Sequence, residues 1–186
     1  MKSLKLSELR KIISYVPQNN FLLSESIQKN IEFGNPNATK EEVKQAAILA
    51  EIDSEILKFK KGYETILGER GVTLSGGQVQ RLSIARSFIK DSEIYLFDDC
   101  FSSLDTDTED RIINNLKNNF KNKTLLIVSH RVSCVKHADN IIVLENGKII
   151  QNGTHKELIL KKNGYYKGLY EIQFKKEEST VIQSQD

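Results

Sequence analysis

The chain has 186 residues, enough for one domain with a sizeable core. Its 27 Lys and Arg nearly balance 25 Asp and Glu, and the resulting net charge of +2 argues against a dedicated nucleic-acid binder. No apolar run approaches the ~20 residues needed to span a bilayer, the mixed Lys, Ser and Leu opening does not read as a signal peptide, and Cys100 and Cys134 fit two small buried hydrophobes in a reducing cytosol.

In chain order, Lys11-Ile12-Ile13-Ser14-Tyr15-Val16 predicts a strand closed by Pro17. Thr39 and Glu42 form a capping box ahead of Val43, Ala46, Ala47 and Ala50 at helical spacing. Asp53 can cap a short helix reaching Phe59, and a Gly-bearing stretch from Gly62 to Gly71 follows. Ser75 then caps a helix, with Gln78 closing its capping box. Ile94 to Phe97 and Thr124 to Ser129 read as short apolar strands buried on both faces. Between them Ile112, Ile113, Leu116 and Phe120 give one helix an apolar face. Glu145-Asn146-Gly147 marks a hairpin, and Thr154 with Glu157 another capping box. From Lys175 the composition is polar and charged, and disorder is expected. Strands alternating with helices imply a mainly parallel α/β sheet, with a nearly all-helical stretch from about Ser24 to Lys90.

Chemistry concentrates in a few strings. Leu74-Ser75-Gly76-Gly77-Gln78 opens a helix with two glycines, whose bare N–H groups and partial positive charge suit a phosphate. Ile94-Tyr95-Leu96-Phe97-Asp98-Asp99 is an apolar strand ending in two carboxylates. A phosphate cradle followed by a strand-end acidic pair is a layout for nucleotide hydrolysis. Together the strings resemble the signature motif and Walker B strand of the ATP-binding cassette (ABC) ATPases, and the resemblance runs from about Leu9 to about Leu169.

That resemblance implies a fold and a set of roles. The fold is an α/β P-loop NTPase (RecA-like) core, incomplete at its N-terminus, with an inserted ABC helical subdomain. Residues 1–23 would be a core remnant, 24–90 the helical subdomain, 91–174 the remaining core and 175–186 a disordered tail. Gln18 matches the Q-loop glutamine, which meets magnesium through its amide oxygen; taken alone, it is a solvated loop residue. Leu74, Ser75, Gly76, Gly77 and Gln78 would contact the γ-phosphate of ATP held by a second cassette. Asp98 would hold Mg2+, largely through water. Asp99 stands where most of the family has the glutamate base, one methylene longer, so weak hydrolysis is expected. Ser103-Leu104-Asp105 matches the D-loop, while Asp105 or Thr106 reads equally as an N-cap, and the two roles can coexist. His130 matches the switch histidine, whereas His137 and His155 fit no motif and read as surface residues. The segment Phe21 to Ile31 resembles the exporter version that meets coupling helices, and Gly68-Glu69-Arg70-Gly71 the exporter X-loop; a charged surface turn is the other reading of that loop.

The implied cofactors are ATP and Mg2+. The implied partners are a second ABC ATPase subunit, a heterodimer being favoured by Asp99, and the transmembrane domain of an exporter, with no nucleic acid. The resemblance also implies work at the cytoplasmic face of the cell membrane. The phosphate-binding string G-x-x-x-x-G-K-[ST] does not occur in the chain. Most phosphate contacts would go with it, so the chain alone is expected to be inactive or nearly so, and to expose apolar sheet surface. The alternatives are an inert cassette offering only its signature face to a complete partner, and a soluble ABC protein outside transport.

Overall fold

The computed structural model describes residues 5–68 and 71–183, with side chains to residue 174. Glu69 and Arg70, the centre of the X-loop-like string, lie outside the described residues. Two compact units divide the chain, one up to Val128 and the other from Ser129.

The first unit begins with helix α1 (Leu6–Ile12) and strand β1 (Ile13–Val16), so the strand starts two residues later than the apolar pattern implies. Helices α2 (Ile27–Glu32), α3 (Lys40–Leu49) and α4 (Asp53–Ile56) follow, then a 3-10 turn at Gly62–Glu64. The Thr39 capping box forms: its hydroxyl accepts the Glu42 N–H while the Glu42 carboxylate accepts the Thr39 N–H. Asp53 does not cap α4; Ile52 is the N-cap, and Asp53 instead accepts a 2.6 Å hydrogen bond from Tyr63. Helix α5 (Gly76–Phe88) is buried almost all round from Gln80 onward because it lies against α2 and α3 as well as β1. Strands β2 (Ile94–Asp98) and β3 (Thr124–Val128) flank the amphipathic α6 (Thr106–Asn119).

The sheet is parallel, in the order β1-β2-β3, with Tyr95 beside Ser14 and Leu125, and Phe97 beside Val16 and Ile127. On this face an aromatic cluster forms the core: Tyr95 and Phe120 rings lie 4.9 Å apart, Phe88 and Phe120 5.1 Å, and Phe97 and Phe101 5.8 Å. The opposite face carries Tyr15, Leu96, Leu126 and Val128 and stays largely open. Leu126 is 54% exposed and Val128 50%. The expectation that β2 and β3 are covered on both faces is therefore corrected: one face alone is packed.

In the second unit, α7 (Val132–Val135) precedes the antiparallel hairpin of β4 (Ile141–Glu145) and β5 (Lys148–Gly153). Asn146 and Gly147 both have positive φ, 49° and 75°, as a two-residue primed turn requires. Helices α8 (His155–Leu160) and α9 (Tyr165–Gln183) close the unit around Val132, Ile141, Leu158 and Tyr166. Helix α9 continues to Gln183, within the stretch expected to be disordered, whose last three residues lie outside the described ones. His155 is not a plain surface residue: its Nδ1 pairs with the Tyr166 hydroxyl at 2.8 Å, and burial lowers its pKa. Among the described residues no helix is long and apolar enough to cross a membrane.

Candidate functional site

Two loops of the first unit meet at the C-terminal end of the sheet. β2 ends at Asp98, and the next residue turns sharply: Asp99 has φ 45°, in the left-handed region, while its N–H still donates to the Val128 carbonyl at 2.8 Å. Gln18, two residues beyond β1, donates from Nε2 to Asp99 Oδ2 at 3.2 Å. Tyr15 donates its hydroxyl to Asp98 Oδ2 at 3.1 Å. That bond, with burial and the Asp98 charge, raises the Tyr15 pKa, so the phenol keeps its proton. The parallel pairing of β1 with β2 thus gathers Gln18, Asp98 and Asp99, residues far apart in sequence.

The donors of this group are carboxylate and amide oxygens, the set a hard divalent cation takes. Gathered groups of three or more His, Cys, Asp or Glu able to hold a metal do not occur among the described residues. One or two carboxylates with retained water is the way magnesium usually binds, and Asp98 with the Gln18 amide oxygen fits that mode.

The second element is the N-terminus of α5. Ser75 is its N-cap, accepting the Gln78 N–H at 3.3 Å, while Gln78 Oε1 accepts the Ser75 N–H at 2.9 Å. Gln78 Nε2 then donates to Glu55, which also pairs with Arg81 at 2.7 Å. Burial alone would raise the Glu55 pKa, but these two donors outweigh it and hold the carboxyl below its usual range. The turn itself is open to solvent at Ser75 and Gly76, with Leu74, Gly77 and Gln78 half-buried. It is therefore accessible to an anion, and its side chains are held by α4 and the following turn of α5.

Ser103 lies against this glycine turn. A Cβ on Gly77 would come within 3.1 Å of the Ser103 carbonyl, whereas one on Gly76 would meet nothing nearer than 3.7 Å. Asp105 caps α6, accepting the Thr108 N–H at 2.9 Å, and this bond and the Thr108 hydroxyl lower its pKa. The capping role is realised on an exposed side chain, which leaves the D-loop role open. His130 belongs to the second unit, where it is exposed and its carbonyl accepts from Gln173 Nε2 at 2.8 Å. Sequence reasoning missed Tyr15 as a partner of Asp98, and Gln80, whose amide binds the loop after Asp99. Neither carries a local signal, because both contacts depend on the tertiary fold.

A parallel sheet whose central strand ends in two carboxylates, faced by a glycine-opened helix, defines a P-loop-type nucleotide domain of the cassette class. A family model described as ABC transporter matches residues 1–102, more than half of the chain, and the chain belongs to that family. It is 41% identical over 186 residues to the ABC transporter ATM1 of Toxoplasma gondii, covering all of this chain and 16% of that protein. It is 44% identical over 173 residues to the probable multidrug resistance ABC transporter ATP-binding/permease protein YheI of Bacillus subtilis, covering 93% of this chain and 29% of the relative. A solved bacterial Atm1-family ABC exporter with ATP bound superposes with a TM-score of 0.88 at 35% identity, covering 93% of this chain and 30% of that one. The chain thus spans less than a third of the length of these relatives.

Proposed function

We propose that the chain is part of the ATP-binding and ATP-hydrolysing domain of an ABC exporter, working by ATP-driven pairing with a second cassette. One observation carries this reading: the α5 N-terminus is open to solvent and lies beside the loop that leaves Asp98 and Asp99. Backbone N–H groups of Gly76 and Gly77 and the Ser75 hydroxyl would receive the γ-phosphate of the partner's ATP. On its own side, Asp98 and the Gln18 amide oxygen would hold magnesium, and Asp99 would accept the proton of the attacking water. Magnesium, when bound, neutralises charge on the phosphate oxygens. His130 would bond the γ-phosphate and position the water. Residues 24–90 would be the helical subdomain, and a transmembrane partner would be met by the exposed Phe21, just before it, and by the X-loop-like string that includes Gly68 and Gly71. Because no phosphate-loop string occurs in these residues, they would bind nucleotide weakly alone. That also favours a second reading, a non-catalytic cassette that serves only through its signature face.

The test is association with a complete, hydrolysis-deficient cassette of the same family, followed by sedimentation with and without ATP and Mg2+. The expected result is ATP-dependent pairing that Gly76→Asp abolishes. Aspartate suits a first helical turn, so this variant folds, but its charge repels phosphate. Pairing that ignores ATP, or that survives Gly76→Asp, sinks the reading. Nucleotide turnover in the mixture, absent from either chain alone, separates the catalytic reading from the non-catalytic one.

A further inference from the structure

Gln80 lies one turn inside α5, and only 6% of it is exposed. Its amide uses both ends on the loop that follows the twin aspartates. Oε1 accepts the Ser103 N–H at 3.0 Å, and Nε2 donates to Ser102 Oγ at 3.3 Å. The Ser102 hydroxyl in turn donates to the Asp99 carbonyl at 3.1 Å. Asp99 is the residue in the left-handed turn. A non-glycine residue in that conformation carries a backbone cost, modest for aspartate, that surrounding bonds help to offset. A buried amide with both ends occupied is a stiff link, since losing either bond leaves a polar group unpaired in a poorly hydrated place.

We propose that Gln80 is a positioning residue: through Ser102 and Ser103 it ties the signature turn to the left-handed turn at Asp99 and so aims that carboxylate. The consequence rests on the function proposed above for Asp99. A phosphate on Gly76 and Gly77 would sit beside Ser103, whose carbonyl lies close to Gly77, in the same loop whose Ser102 hydroxyl bonds the Asp99 carbonyl. The two ends of the chain's nucleotide machinery would then move together.

The experiment uses the chain itself without nucleotide, so it is independent of whether the signature turn binds phosphate. Amide exchange and 13C chemical shifts are recorded for the unaltered chain, Gln80→Met, Gln80→Glu and Ser102→Ala. Gln80→Met keeps the side-chain length and removes both bonds. It should speed exchange of the Ser103 amide about tenfold, as expected for one lost hydrogen bond. It should also shift the Asp99 Cα and Cβ resonances away from left-handed values, while the Val43 amide in α3 is unchanged. Gln80→Glu keeps an acceptor and should restore Ser103 protection. Ser102→Ala alters an exposed side chain, so folding is spared. It should move the Asp99 resonances while leaving Ser103 protected. The proposal is overturned if Asp99 keeps its shifts in both Gln80→Met and Ser102→Ala. It is equally overturned if Ser103 and Val43 accelerate together in Gln80→Met, the mark of general destabilisation.

Discussion

Arg86, near the end of α5, is the clearest place to put a number on how this fold is held. Its guanidinium donates from Nε to the Asn30 carbonyl at 2.9 Å, from Nη2 to Asn30 Oδ1 at 2.9 Å and from Nη1 to the Phe21 carbonyl at 3.1 Å. It lies between the Phe21 and Phe33 rings, 5.4 and 5.3 Å from their centroids. Burial lowers its pKa, yet guanidinium stays charged at any ordinary pH. The Asn30 carbonyl belongs to the last turn of α2, one of the groups a helix cannot satisfy itself. Asn30 also anchors the loop before it, accepting the Leu23 N–H at 2.8 Å and donating to the Leu23, Glu25 and Ser26 carbonyls.

Arg86→Met keeps most of the stem packing and removes all three bonds. Bonds from a charged donor are worth ~1.5–3 kcal/mol each. They do not add here, because Asn30 Oδ1 retains Leu23 and the head group is half-exposed. The expected loss is about 2–4 kcal/mol, a large part of a domain's stability. Arg86→Lys offers a point donor in place of a fork and should lose roughly half as much. Urea unfolding followed by far-UV circular dichroism measures both, with the Leu23 amide exchange as a local reporter. A loss below about 1 kcal/mol for Arg86→Met would refute the reasoning, since the Asn30 and Phe21 backbone carbonyls would then be satisfied without it.

Three further outcomes are expected. In a complete cassette carrying this chain, Asp99→Glu should raise the ATPase rate, and an unchanged rate counts against the short-carboxylate reading. Burial, then the Lys136 charge, depress the His155 pKa below its usual 6.5. The folded state therefore favours neutral imidazole: its stability contribution is complete above that pH and falls away as pH drops through the lower folded value. Denaturant midpoints between pH 7 and 5 should fall for the unaltered chain and flatten in His155→Gln. Finally, Leu126→Ser with Val128→Thr, on the open sheet face, should cost little stability, within ~0.5 kcal/mol per site. The same pair should reduce self-association in sedimentation, and undiminished association would show that this face is not sticky.

What could be read from the chain was what is local. Capping boxes at Thr39, Ser75 and Thr154 rest on residues three apart and form as the spacing implies. The Asn146-Gly147 turn needs two positive φ values and has the residues that accept them. The parallel order followed from strands alternating with helices. Coverage of the sheet was not legible, because an apolar strand looks the same whether both faces are packed or one. Leu126 and Val128 are apolar yet open. Nor was the partner of any long-range polar group legible. Gln18 was singled out from its motif, but its bond to Asp99, and the paths through Gln80 and Arg86, exist only once strands and helices are placed.

Asp99 brings two effects into opposition, and their sizes decide between them. The residue must turn left-handed at once, because its N–H is still paired with Val128 at the strand end. Aspartate is among the non-glycine residues that tolerate that conformation best, and the penalty for a less suited side chain is on the order of 1–2 kcal/mol. In the proposed role of base, though, it is short of glutamate by one C–C bond, about 1.5 Å. A proton acceptor works over a heavy-atom range of roughly 2.6–3.2 Å, far narrower than that shortfall. Gln18 adds to the constraint by holding Asp99 Oδ2 at 3.2 Å on the side of β1. Reach should therefore outweigh backbone comfort: Asp99→Glu is expected to lose a little stability and gain rate. A variant that lost stability and gained no rate would mean that the turn, and not the length of the carboxylate, determines what this residue can do.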